Sequence, residues 1–243
     1  MKQLLDLADD RLINGCIYCG GKAETRDHVP SRILLETPYP ENLPVVGACK
    51  TCNQGFSKDE QYLVCFLESV IAGSTDPKDI RRPSVARALK RSPALKARIE
   101  GAKTLYNGQL AFIPEENRVK NVMLKLARGH AAFDLSQPCP EEPEHYWCGV
   151  LESLSQEVRD SFNAAHIQQF FGEIGSRNMQ RMFAAEMCIQ SQSGDRQKLQ
   201  GVVNDWVDVQ DGYYRYLAID DIGGVVVRIV ISEYFACEVG WKI

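Results

Sequence analysis

The sequence predicts an α+β protein with a compact N-terminal module, a mostly helical middle and a C-terminal β-hairpin or small antiparallel sheet. Three observations carry this. Two Cys-x-x-Cys pairs, Cys16/Cys19 and Cys49/Cys52, bracket a proline-rich stretch. Helical spacing of apolar residues dominates from about Tyr62 to Ala165. Val- and Tyr-rich segments separated by glycine turns fill the end of the chain.

In chain order, residues 2–13 read as a helix, with Leu4, Leu5, Leu7, Leu12 and Ile13 on one side and Gly15 as a stop. Pro30, Pro38, Pro40 and Pro44 forbid a long helix over 24–48, which leaves loop and short strands. Ser57-x-x-Glu60 has the form of a capping box, followed by Tyr62, Leu63, Phe66, Leu67, Val70 and Ile71 at helical spacing. The run Gly73-Ser74-Thr75-Asp76-Pro77 marks a boundary and divides the chain into 1–75 and 76–243.

Beyond it, Pro83-Ser84 starts a basic segment that Ser92-Pro93 interrupts. Between Lys78 and Lys103 nine cations stand against Asp79 and Glu100, either a solvated helix surface or a face that follows phosphates. A further helix opens near Pro114-Glu115-Glu116 and ends about Gly129; another covers Ser153 to Ala165. Trp206–Ile219 and Gly224–Val239 read as strands joined by a turn at Asp220–Gly224. Trp206, Tyr213, Tyr214, Tyr216 and Trp241 belong to sheet packing rather than to base stacking.

The chain of 243 residues is 44% hydrophobic with a net charge of −4, enough for one large domain or two small ones. The acidic total argues against indiscriminate coating of nucleic acid. No apolar run reaches membrane-spanning length, and Asp6, Asp9 and Asp10 stand where a signal peptide needs a basic flank. A soluble, cytoplasmic protein is expected.

Nine cysteines, an odd number, in a chain of this length point to metal rather than to a disulfide framework. Cys65, Cys139, Cys148, Cys188 and Cys237 are scattered and read as small buried hydrophobes. Cys16, Cys19, Cys49 and Cys52 present two sulfurs from each of two tight bends, the pattern of a tetrahedral zinc. The 29 residues between the pairs exceed ordinary ribbon spacing and leave room for an inserted hairpin. Four thiolates close the coordination shell, so this zinc is structural; any metal-assisted chemistry needs a second ion.

Asp27-His28 lies within the bracketed stretch, and Asn53 follows the last cysteine directly. If the segment folds back on itself, Asp27 and Asn53 offer two oxygens to Mg²⁺ or Mn²⁺, beside an imidazole able to work as a base near neutral pH. Lys22, Arg26, Arg32, Lys50 and Lys58 are cations in the same stretch, available to flanking phosphates.

The string Cys16-x-x-Cys19 … Asp27-His28-Val29-Pro30 … Asn42-Leu43 … Cys49-x-x-Cys52-Asn53 … Ser57-Lys58-Asp59-Glu60 resembles the HNH endonuclease family in its cysteine-clamped branch. The resemblance spans about residues 14–62. It implies a ββα-metal fold within 1–75, with His28 as general base, Asp27 and Asn53 as ligands of a catalytic Mg²⁺ or Mn²⁺, and Asn42 bracing the hairpin. The last position is Asn53 rather than histidine. The HNH domain of the CRISPR RNA-guided nuclease shares that asparagine, followed there too by x-Gly-x-Ser.

The implied activity is hydrolysis of DNA phosphodiester bonds, leaving 3′-hydroxyl and 5′-phosphate ends, with RNA also open as substrate. A defence or restriction setting, a regulatory protein partner and a homodimer would all suit such a nuclease. Residues 76–243 would serve an accessory role. The alternative is a non-catalytic zinc module that binds nucleic acid or a protein partner.

Overall fold

A computed structural model describes residues 15–171, 175–190 and 196–242. The expected helix over 2–13 lies outside them. The described chain mixes α and β, with several small antiparallel sheets beside the helices.

Two strands, β1 (Thr25–His28) and β2 (Val45–Ala48), pair antiparallel in the register Thr25↔Ala48 to His28↔Val45. The first long helix, α1 (Lys50–Ala72), follows β2 after one residue. Its cap lies eight residues before the one the capping box predicts. Cys49 is the cap, its sulfur accepting from the Cys52 N–H at 3.4 Å, while the Ser57 hydroxyl donates to the Gln54 carbonyl inside the helix. Gly73, at φ +63°, ends α1 in the left-handed conformation that glycine adopts without a steric penalty.

The basic segment forms α2 (Pro83–Arg91) and α3 (Pro93–Glu100), each with proline in its first turn. Between α3 and the next helix lies a hairpin that helical spacing had hidden, β3 (Lys103–Tyr106) and β4 (Gln109–Phe112), turning at Asn107-Gly108. The second long helix, α4 (Glu116–Leu135), runs past Gly129, where a stop was expected. A β-carbon at Gly129 would stand 2.6 Å from a methyl of Val29, so this glycine lets α4 cross close over the chain just after His28.

The C-terminal sheet is larger than a hairpin. Its five antiparallel strands run in the order β5 (His145–Val150), β12 (Phe235–Trp241), β11 (Gly224–Ile231), β10 (Tyr214–Asp221), β9 (Val207–Gln210). The turn expected between β10 and β11 is present at Ile222-Gly223. Alternate residues Val225, Val227, Ile229 and Ile231 of β11 face the helices, with Tyr214 and Tyr216 of β10 beside them. The outer face carries Val230 and Ala236, covered by Phe162 of α5 (Gln156–Asn163). A three-stranded sheet, β6 (His166–Gln168), β8 (Arg196–Asn204) and β7 (Phe183–Gln190), completes the described strands, with the short α6 (Arg177–Arg181) between β6 and β7.

One apolar cluster runs from Leu34 and Leu43 through Tyr62, Leu63 and Phe66 of α1 and Val122, Met123 and Leu126 of α4 to the five-stranded sheet. Residues on both sides of the boundary expected at Thr75 therefore share one core. Among the described residues no helix is long and apolar enough to cross a membrane.

Candidate metal centre and catalytic hairpin

The two cysteine bends are built by different means. In the first, the Gly20 N–H donates to the Cys16 carbonyl at 2.8 Å and the Cys16 N–H donates to the Gly21 carbonyl at 2.6 Å, closing a turn that Gly20 completes at φ +72°. The second is the first turn of α1, where the Asn53 N–H donates to the Cys49 carbonyl at 3.1 Å. The Ile17 N–H donates to the Gly47 carbonyl at 3.1 Å and ties the first bend to β2.

All four sulfurs lie within 4.8 Å of one another, close enough to hold one metal ion, and all four thiols are free of disulfides. The Cys19 and Cys49 sulfurs are 3.8 Å apart, matching the ~3.8 Å edge of a tetrahedron with metal–sulfur bonds of ~2.3 Å. Burial pushes the Cys16 thiol up, but hydrogen bonds from the backbone of Cys49, Tyr18 and Cys19 outweigh it and bring it down to about 7. Burial and the neighbouring sulfurs drive the Cys52 thiol far up. The donor set fits a tetrahedral, thiophilic ion such as zinc.

On β1, side chains alternate. Thr25 and Asp27 face inward; Arg26 and His28 share the other face. The Asn53 amide nitrogen donates to the Thr25 hydroxyl at 3.0 Å and to the Arg26 carbonyl at 3.4 Å, so the first turn of α1 is stitched to the strand that carries the histidine. Asn53 Oδ1 takes no hydrogen bond among the described residues.

His28 is half-buried. Its Nε2 lies 2.8 Å from an Arg32 guanidinium nitrogen. A guanidinium only donates, so Nε2 accepts and the neutral ring carries its proton on Nδ1. Burial, then repulsion from Arg32 and Lys125, pulls the His28 pKa below the ordinary imidazole value and keeps the ring neutral.

Asp27 departs from the expectation that it shares an ion with Asn53. It is only 6% exposed. The Tyr18 hydroxyl donates to its Oδ2 at 2.8 Å, and Lys125 Nζ reaches Oδ1 at 3.1 Å and Oδ2 at 3.0 Å. Lys125, itself 2% exposed, also bonds Ser31 and, at 2.5 Å, Glu60. An ammonium thus occupies the inward side of Asp27, and the residues as they stand do not fit a divalent ion held between Asp27 and Asn53. Sequence spacing does not mark Tyr18, Ser31 or Lys125, and it marks Glu60 only as the end of a capping box and of the HNH-like string. Glu60, seven residues after Asn53 on α1, is the one member whose helical phase aligns it with the site.

Asn42 also departs from its expected place. It is exposed in the loop before β2 and makes no hydrogen bond among the described residues. The brace across the hairpin is instead the Val29 N–H to the Pro44 carbonyl, at 3.0 Å. Of the proposed phosphate contacts, Arg32 touches His28, Arg26 shares its face, Lys22 and Lys58 are exposed, and Lys50 lies 3.9 Å from Glu24 at the start of α1.

Comparison with protein-family models, with curated proteins and with solved structures finds no match to this chain.

Proposed function

We propose that this chain is a nucleic-acid phosphodiester hydrolase of the HNH endonuclease type, acting on DNA. In this reading the strand–strand–helix order of β1, β2 and α1 is a ββα-metal module around a structural zinc held by Cys16, Cys19, Cys49 and Cys52. The observation that carries the reading is His28: a neutral imidazole on the outward face of a strand anchored between two cysteine bends, with a guanidinium on its reactive nitrogen.

The chemistry follows from those groups. Water attacks phosphorus and its proton passes to His28 Nε2. The P–O3′ bond breaks, leaving a 3′-hydroxyl once the leaving oxygen is protonated, and a 5′-phosphate. A phosphate oxygen that draws Arg32 to itself frees the Nε2 lone pair at the moment substrate binds. Arg32 and Arg26 then oppose the charge that builds on the phosphate. The zinc, fully ligated by thiolates, holds the hairpin and takes no part. A catalytic Mg²⁺ or Mn²⁺ held by Asp27 and Asn53 would need Asp27 freed from Lys125.

The test is nicking of supercoiled plasmid by zinc-loaded protein, with and without Mg²⁺ or Mn²⁺, beside His28→Ala. Loss of a general base costs about 10²–10⁴-fold in rate. Equal nicking by the two proteins, or none by the wild type, contradicts the reading.

The commitment of Asp27 to Lys125 favours one alternative, a non-catalytic zinc module that binds nucleic acid. It requires binding that survives His28→Ala and vanishes with Cys49→Ser, with no cleavage under any ionic condition.

A further inference from the structure

On α2, Val85 and Leu89 are buried in the common core, which turns Arg87, Lys90 and Arg91 outward. These three stand at i, i+3 and i+4 and line one exposed strip of helix. None of them forms an ion pair among the described residues, and neither does Lys78 just upstream; Lys96 of α3 has Glu100 as an acidic neighbour. Other cations of the helical region are neutralised: Arg98 by Glu115 at 3.4 Å, Lys103 by Glu100 at 2.7 Å, Arg118 by Asp59 at 2.6 Å. The helix dipole favours Lys90 and Arg91 in the last turn of α2 by a few tenths of a kcal/mol. It gives no reason for Arg87 or Lys78. In a chain of net charge −4 this is a local, uncompensated excess of positive charge.

The strip is held rigidly against the zinc hairpin. Arg82, the residue that precedes α2, is buried and donates to the carbonyls of Ile33 at 3.0 Å and Leu35 at 2.6 Å, with Glu36 at 3.1 Å. The 3₁₀ turn it grips, Arg32–Leu34, begins with the arginine that contacts His28. The orientation of α2 is therefore fixed relative to the imidazole.

We infer that the outward face of α2 is a docking surface for the sugar–phosphate backbone of a nucleic-acid duplex. It lies outside the zinc hairpin and is held in register with it by Arg82. The inference rests on the nuclease reading only in taking a duplex as the ligand. Duplex DNA carries one charge per ~1.7 Å of axis, a linear polyanion suited to a strip of fixed cations. An anionic bilayer is the poorer fit. A helix that binds in a membrane interface needs a free apolar face, and that of α2 is consumed by the core.

The experiment measures anisotropy of a short fluorescein-labelled DNA duplex with the zinc-loaded full chain, without Mg²⁺ or Mn²⁺, over roughly 50–200 mM salt. Wild type, His28→Ala and the triple variant R87Q/K90Q/R91Q are compared, with thermal melting as the control for folding. The triple variant is expected to melt as wild type does while the slope of log K against log salt falls by about two to three. His28→Ala is expected to keep the wild-type slope. An unchanged slope in the triple variant, no duplex binding by wild type, or a loss seen only on phosphatidylserine vesicles overturns the proposal. Absent cleavage together with the expected loss of slope would remove the nuclease reading alone.

Discussion

Lys125 sits in mid-helix with Met123, Leu124 and Leu126 around it, and nothing in the local sequence marks it out. Its partners, Asp27 and Glu60, are 98 and 65 positions away, so only the tertiary fold reveals it. One ammonium there faces two carboxylates away from water. Breaking such a set by removing one partner costs about 3–5 kcal/mol, because the remaining charges stay buried and uncompensated. Lys125→Met should lower the free energy of unfolding in urea by that amount; a change under about 0.5 kcal/mol would show that the cluster is not what joins α4 to β1.

His130 is a second residue of this kind. It is fully buried, stacked on Tyr216 at 3.6 Å and bonded to the Tyr214 hydroxyl at 2.8 Å, with Asp134 and Arg181 beside it. Burial, then Arg181 and Lys125, holds its pKa well below the ordinary value. The unfolded chain therefore takes up a proton that the folded one refuses. The stability this group contributes is present above about pH 6.5 and is lost as pH falls toward the folded pKa, at up to about 1.4 kcal/mol per pH unit. Asp134 works in the opposite sense, since burial raises its pKa; its contribution is lost as pH rises above the ordinary carboxylate value. Urea midpoints between about pH 7.5 and 5.5, with zinc in excess, should fall more steeply for wild type than for His130→Gln. Parallel curves would rule His130 out as the source.

At the scale of elements, legibility followed the range of the interactions. The cysteine bends, the paired strands around the prolines, the break at Ser92-Pro93 and the turn after Asp221 rest on neighbours a few residues apart, and local pattern finds them. Ser57 and Glu60 imitate a cap, whereas Cys49 caps the helix eight residues earlier. Gly129 imitates a stop, but serves the close crossing of α4 over Val29. The β3–β4 hairpin is missed because only Phe112 anchors it, edge-on to Phe66 at 6.1 Å, and its tip residues Leu105 and Tyr106 are exposed.

The bend at Cys16–Gly21, the strands β1 and β2 and the first turn of α1 share one small apolar cluster, Ile17, Tyr18, Val29, Val46 and Ala48 packed on Ala132 and Phe133 of α4. A metal ion on the four cysteines would stabilise these elements further. Zinc binding supplies roughly 10–16 kcal/mol in comparable peptides. Removal of zinc by a chelator should therefore strip hydrogen-exchange protection from the amides of β1, β2 and the first turn of α1, while β10, β11 and β12 keep theirs. Uniform loss, or none, would mean that the sulfurs do not govern the hairpin.

Over the whole molecule the cysteine-clamped hairpin is joined to the rest through two apolar clusters. Leu34, Leu35 and Leu43 of the hairpin loop belong to the same apolar cluster as Val227 and Val239 of the C-terminal sheet, and Gln210 of β9 donates to the Glu36 carbonyl at 2.8 Å. Residues after Thr75 thus help to shape the segment that follows His28, besides carrying the cationic strip of α2. From the sequence the candidate site was legible as a set of residues: four cysteines, a histidine and an asparagine. Its interior was not, because Lys125 and Tyr18 define it through space.

What all of this depends on is that four sulfurs gather one metal ion and so fix the strand bearing His28. Zinc K-edge X-ray absorption on the purified chain tests that most directly. The expected spectrum is one zinc per chain with four sulfur neighbours at about 2.3 Å. A chain purified without metal and unable to take zinc up, or a zinc shell built from nitrogen and oxygen in place of sulfur, would contradict the account.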